Sequence, residues 1–394
     1  MTELHSQQPA QSAELERLVR LEAYLQSDPR NASLLADAFD TAIGVGRHDA
    51  ARRFVEQAEA LFDGQSEQRS HWQFRRASLC MATHDDLEAR RLLEALVASG
   101  ETHPAIACNL AQLSFRHAAY AEALEQLQPL LERDDASAID EVRVLALRIW
   151  HRLGQVTQAL EWFDASVPRL DGVPVASATV MGVASLLALD AQRMSDAKAW
   201  STHALTGDGT QMEALVTRGT IALAEDDIRQ ARQLLGQALE VNAEDGRAWS
   251  ALAFVDMLDM QLASAETCFQ RSLKTMPEHI GTWHGLAWCY LLQQKLQQAR
   301  EIFEQALAID RNFAESHGGL AVVDAIQDRR EQAEQSIAVA LKLDSRSLAA
   351  RYAQAILREE ANDPQAIRTL ARHLLGSNEA AGVIRVADRV MKGG

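Results

Sequence analysis

A recurrence at 34 residues constrains this sequence more than any other feature. Trp249 and Trp283, Leu252 and Leu286, Ala265 and Ala299, and Phe269 and Phe303 are each one such step apart, and the next step reaches His317, Leu320, Ala333 and Ile337. A fixed period of this length marks supersecondary units stacked along the chain, each of which buries its apolar face only against its neighbours. Apolar residues within a unit recur three and four apart, so each unit holds two amphipathic helices. The small residue stays in register in five consecutive units, as Ala197, Ala231, Ala265, Ala299 and Ala333, which covers residues 178–347 without an insertion. A small side chain there lets two helix backbones approach closely.

The unit beginning at Ile280 carries Trp283, Leu286, Tyr290, Ala299, Phe303 and Ala306, and the unit before it Trp249, Leu252, Ala265, Phe269 and Pro277. This ordered set resembles the tetratricopeptide repeat (TPR) family. The resemblance implies an all-α fold, a right-handed superhelical solenoid of about nine helix-turn-helix repeats with divergent caps. Upstream, Ala159 and Phe163, Ala123 and Leu127, Ala89 and Leu93, and Ala50 and Phe54 mark units of about 140–173, 104–137, 70–103 and 31–64. The chain thus reads as an N-terminal tail and capping helix (1–30), a degenerate array (31–173), an in-register array (178–347), and a divergent repeat with a final capping helix (348–394). The four residues before Ala178, Pro174 among them, form a local insertion. In the last segment Ala366 takes the small-residue position and Gly376 stops a helix.

Composition agrees with a helical stack. The 394 residues are 47% hydrophobic but only 5% aromatic, with 8 prolines. Net charge is −16 and the isoelectric point near 5.2. Such acidity argues against a nucleic-acid partner, because phosphate backbones are bound by clustered Lys and Arg. It equally disfavours docking on anionic membranes. The N terminus is polar, with Glu3 and no apolar run, so it does not read as a secretory signal. Residues Gly172 to Leu189 carry no charge, yet Pro174, two glycines and three hydroxyl side chains interrupt the stretch, which falls in register with the repeats. It reads as a buried helix, since a spanning helix needs about 20 predominantly apolar residues. The expected location is cytoplasmic.

Cys80, Cys108, Cys268 and Cys289 lack the close spacing of a zinc or disulfide framework and read as packing residues. His279, His284 and His317 fall near joins between units, without the tighter ligand spacing of a metal site. In "HDD" at His84–Asp86 an aspartate suits a helix cap. No HExxH, GxSxG, GxxxxGK[ST] or GxGxxG motif occurs. The expectation is a protein that is not an enzyme and has no cofactor and no metal.

In TPR proteins the first helix of each unit lines a concave groove. The resemblance therefore places Phe254, Trp288, Tyr352 and Ile356 in that groove, with Met257 and Leu291 three residues after the first two. An exposed apolar patch of this kind marks a partner surface, and the expected partner is a protein or peptide. Trp283 and Tyr290 occupy consensus positions and are expected to hold helices together. The corresponding positions upstream include Phe39, Phe74, Ser78, Gln112, Phe115, Arg148 and His151. With Arg75, Arg76, Arg116, Arg143 and Arg152 nearby, they predict a modest basic strip within an acidic protein. The Lys/Asn clamp by which some TPR modules hold a chaperone's terminal carboxylate is missing, for Asn109 alone does not make it. The resemblance implies a scaffold or adaptor. The alternatives are a chaperone-like factor of a bacterial secretion or envelope-assembly system, and a regulatory subunit of an envelope or polysaccharide synthase. The anchor and cysteine-rich tail of the last class are not seen here.

Overall fold

The computed structural model describes residues 4–62, 66–133, 139–170 and 173–358. The second helix of the divergent repeat, with Ala366, the stop at Gly376 and the final capping helix, lie outside them. The contacts divide the chain into two compact units, Met1–Val167 and Pro168–Gly394.

Among the described residues the first unit contains nine helices: α1 (Leu4–Ser27), α2 (Ala32–Gly44), α3 (His48–Phe62), α4 (Ser66–Ala82), α5 (Asp86–Ala98), α6 (Pro104–Arg116), α7 (Tyr120–Leu131), α8 (Asp140–Arg152) and α9 (Val156–Ser166). The last eight form four antiparallel pairs, and α1 packs ahead of them, burying Leu18, Leu21 and Leu25 against a core that includes Leu35, Phe39 and Phe54.

The second unit opens with a two-residue antiparallel ladder, β1 (Arg169–Leu170) with β2 (Val173–Pro174), which begins ahead of the expected insertion and shares only Pro174 with it. Eleven helices follow among the described residues: α10 (Ala178–Asp190), α11 (Met194–Gly207), α12 (Met212–Ala224), α13 (Ile228–Val241), α14 (Gly246–Leu258), α15 (Leu262–Thr275), α16 (Ile280–Leu292), α17 (Leu296–Ile309), α18 (Ala314–Ile326), α19 (Arg330–Leu343) and α20 (Leu348–Leu357). They make five pairs, with α20 as the first helix of another. The charge-free α10 is buried from Val180 to Ala188. No helix among the described residues is long and apolar enough to cross a membrane.

Two kinds of punctuation build this regularity. Each of the nine pairs turns at one residue in the left-handed region: Gly46, His84, Ala118, Gly154, Gln192, Asp226, Met260, Gln294 and Asp328, with φ between 56° and 71°. The residue after the turn donates back to the carbonyl of the last helical turn, as Lys295 N does to Tyr290 O at 2.9 Å, closing a Schellman-type stop. Between pairs, Asp208, Asn242, Asp310 and Asp344 recur at the repeat period, and each side chain accepts from the backbone N–H two residues on. Five of the helices that follow are capped by a side chain, with Ser177, Gln211, Asp245, His279 and Ser347 each accepting from the N–H three residues later, whereas Phe313 at the start of α18 provides no such bond.

Packing follows the small residues. Ala197, Ala231, Ala265, Ala299 and Ala333 are fully buried. Phe269 and Phe303, also fully buried, press on Gly285 and Gly319 of the next pair. A Cβ on Gly319 would lie 2.3 Å from the Phe303 ring.

Candidate partner-binding face

Tertiary contacts in the second unit run from each second helix to the following first helix, and also between successive first helices: α10 with α12, α12 with α14, α14 with α16, α16 with α18 and α18 with α20. The first helices therefore lie closest together and form the inner side of the stack. Phe254 on α14, Trp288 on α16, and Tyr352 and Ile356 on α20 are partly exposed there. Leu189 on α10 and Leu223 on α12 are also partly exposed, at the repeat position that Met257 and Leu291 take further along. Trp288 meets the Phe303 ring edge-on at 6.3 Å and the Tyr352 ring at 6.1 Å, while Phe254 stands edge-on to Phe269 at 5.1 Å. The Trp288–Tyr352 contact skips a whole helix pair.

Met257 and Leu291 correct the groove expected from the sequence. Met257 is 0% exposed and Leu291 6%, both within the core. Successive first helices touch directly, so the row three residues beyond Phe254 and Trp288 turns into the seam between helices. Neither side chain can meet a partner without unpacking.

Charged groups brace the pairs around this floor. Arg232 reaches buried Asp256 and also Asp259, and Arg300 reaches buried Asp324. At the equivalent step, Glu266 receives Lys295 at 2.9 Å, Gln293 at 3.1 Å and the Tyr290 hydroxyl at 3.2 Å. Burial opposes ionisation of Glu266, but the bonds from Lys295 and Gln293 outweigh it and hold the carboxyl below its ordinary range. The histidines are each engaged locally. His279 caps α16; His284 lies against Phe303 and Phe313 with Ser316 at 2.7 Å; His317 bonds the Arg311 carbonyl at 3.0 Å. Among the described residues no cluster of metal-ligating side chains occurs. Burial raises the Cys268 and Cys289 thiols to about 11, which leaves them protonated at neutral pH.

In the first unit Arg148 is exposed and His151 half-buried on α8, and each already has an interaction partner. Phe39 is buried edge-on against Trp72, so it is core and not face. The expected basic strip is largely neutralised. Arg75 pairs with Asp40 at 2.9 Å while lying over the Trp72 ring, Arg76 with Glu59 at 2.5 Å, Arg116 with Asp86 at 2.9 Å and Arg143 with Asp140 at 3.4 Å. A shallow recess between α2 and α4, lined by Ser33, Gln68, His71 and Arg75, gave no periodic signal in the sequence.

The tetratricopeptide repeat family model matches residues 244–312, which span α14 to α17. Residues 244–312 are tetratricopeptide repeats. Helix pairs extend at the same step from α10 to α20. Among solved structures, a monomeric IFIT1 variant with the capped RNA m7Gppp-AAAA superposes with a TM-score of 0.53 at 16% identity, over 91% of this chain and 90% of that one. The human IFIT1 dimer with PPP-AAAA gives 0.51 at 15% identity, over 92% and 90%. YrrB, described as a TPR protein with an unusual peptide-binding site, gives 0.37 at 18% identity, over 50% of this chain and 97% of that one. At these identities the IFIT1 likeness is one of fold. No curated protein matches the chain in sequence.

Proposed function

We propose that this protein is a non-catalytic TPR adaptor that receives a protein or peptide segment on the inner face of its second unit. The observation that carries the reading is the set of partly exposed apolar side chains on first helices of the second unit: Leu189 on α10, Leu223 on α12, Phe254 on α14, Trp288 on α16, and Tyr352 and Ile356 on α20. A segment laid along them buries apolar area on rigid helices, and a few large aromatic anchors dominate such interfaces. Arg148 and His151 are the polar contacts proposed on the first unit. The IFIT1 structures hold RNA. For this chain a polyanion is the weaker reading, because net charge is −16 and Arg75, Arg76 and Arg116 of the first unit are matched to carboxylates.

A photo-crosslinking residue in place of Trp288 tests the reading in lysate of the native host. Crosslinks to a discrete protein, lost in Phe254→Glu while circular dichroism is unchanged, are expected. Crosslinks to RNA, or to no macromolecule, would overturn it.

A further inference from the structure

Arg247 is the second residue of α14 and Asp190 the last of α10. The guanidinium donates to both carboxylate oxygens, Nη1 to Oδ1 and Nη2 to Oδ2, each at 2.8 Å. A two-pronged contact of this kind fixes orientation as well as distance. The inter-helix pairs described above, such as Arg232 with Asp256 or Lys295 with Glu266, join neighbouring repeats. This one skips a repeat, because α12 packs between α10 and α14. Helices packed face to face lie about 8–10 Å apart, so two such spacings put α10 and α14 about 16–20 Å apart in a straight stack. That distance is near the limit of what an arginine and an aspartate span together. A stack curved toward its inner face closes the pair more readily than a straight one.

We infer that the Asp190–Arg247 ion pair is a brace across the inner side of α12, which sets how tightly the second unit winds and how far its apolar face stands open. Phe254 lies on the same helix as Arg247, about two turns further along. Other charges frame the brace: buried Glu213 on α12, Asp245 at the cap of α14, and His279 at the cap of α16. Burial and then Arg247 push His279 below its ordinary range, while Asp190 pushes back. With the carboxylate 24% and the guanidinium 36% exposed, the pair is within reach of solvent and ions. A partner entering the face beside Phe254 has to pass under the brace or displace it. That consequence rests on the partner-binding reading above; the brace itself does not.

Small-angle X-ray scattering on the full chain tests it, comparing the natural protein with Arg247→Gln, Asp190→Asn and the charge-swapped Asp190→Arg/Arg247→Asp. Each single change is expected to shift the radius of gyration upward with helicity unchanged, and the swap to shift it back. If the single variants lose helicity, the natural protein in 1 M salt provides the second measurement, because the screening length there is about 3 Å. The same upward shift is expected. Scattering that is unchanged both in folded single variants and in high salt overturns the brace, as does a swap that folds without restoring the natural curve. Failure of the Trp288 crosslinking with these scattering shifts intact would refute the partner reading alone.

Discussion

The indole Nε1 of Trp283 donates to the carbonyl oxygen of Pro277 at 2.7 Å, across the turn that joins one helix pair to the next. Trp249 makes the same bond to Ala243 at 2.7 Å, His317 to Arg311 at 3.0 Å and Arg351 to Ser345 at 3.0 Å. Four consecutive repeats thus use one position, with different side-chain chemistry, to satisfy a carbonyl six residues earlier. Tryptophan is therefore not kept here for core packing alone. The ring is partly exposed and works as a clamp on the turn.

Trp283→Phe separates these two roles, since it retains most of the ring area and removes the donor. It is expected to cost about 0.5–1.5 kcal/mol, the net worth of one hydrogen bond. Trp283→Ala is expected to cost more than that but less than the about 3–5 kcal/mol of a fully buried aromatic. Chemical denaturation checks both. Equal costs for the two variants would show that the bond carries the whole effect.

Trp288 stands differently. Its contacts with Phe303 and Tyr352 tie α16 to the helix two pairs ahead, so Trp288→Ala should lower stability as well as weaken a partner. Met257→Ala should lower stability by about 2–5 kcal/mol through the cavity it leaves. Any loss of crosslinking at Met257→Ala is expected only where unfolding accompanies it. A folded Met257→Ala protein with lost partner capture would return that residue to the binding face.

The fold was legible because its signal is repetition. All five small residues of the in-register array are fully buried, and nine helix pairs appear among the described residues. The face was legible only in part. Phe254 and Trp288 are identified by counting along one helix, but whether the residue three further on meets solvent depends on how closely successive first helices approach. That distance is set by tertiary packing, which buries Met257 and Leu291 and lets Trp288 touch Tyr352. The same cause hides the Asp190–Arg247 pair, whose members are 57 positions apart and match no repeat step.

The turn residues were equally invisible to periodicity, and they allow a stabilising prediction. Ala118 and Gln294 hold φ of 58° and 59°, a conformation that costs an L residue about 1–2 kcal/mol. Glycine adopts it freely but loses about 0.5–1 kcal/mol more on ordering. Ala118→Gly and Gln294→Gly should therefore each raise stability by up to about 1 kcal/mol, read as a higher denaturation midpoint at unchanged slope. A lower midpoint would mean that another contribution dominates these turns.

Close packing predicts the opposite sign at Gly319 and Ala299. The Phe303 ring that lies against Gly319 is fully buried. Gly319→Ala should cost about 1–3 kcal/mol, and Ala299→Trp at least as much, through overpacking. An unchanged thermal transition in Ala299→Trp would show that the helices do not meet at that residue.

The buried histidine makes stability depend on pH in a direction that can be worked out. Burial lowers His284 to about 4 from an ordinary 6.5, so the folded state resists a proton that the unfolded chain accepts. Above about pH 6.5 both states leave the ring neutral, and it adds no pH dependence. Below that value the unfolded chain binds more protons, so stability falls as pH drops, until about pH 4 where the folded state also takes one. The difference in proton affinity between the two states amounts to about 3 kcal/mol at the acid limit. Carboxylates such as Glu266, held low by Lys295, also lose stability on acidification, so the natural protein alone does not isolate the histidine. His284→Gln does. Its side chain retains an acceptor for Ser316 and has nothing to titrate, so the difference between the two unfolding free energies should narrow steadily from pH 6.5 to pH 4. A difference that stays constant across that window would show that His284 takes up its proton as readily folded as unfolded, and that its cage of Phe303 and Phe313 opens to water.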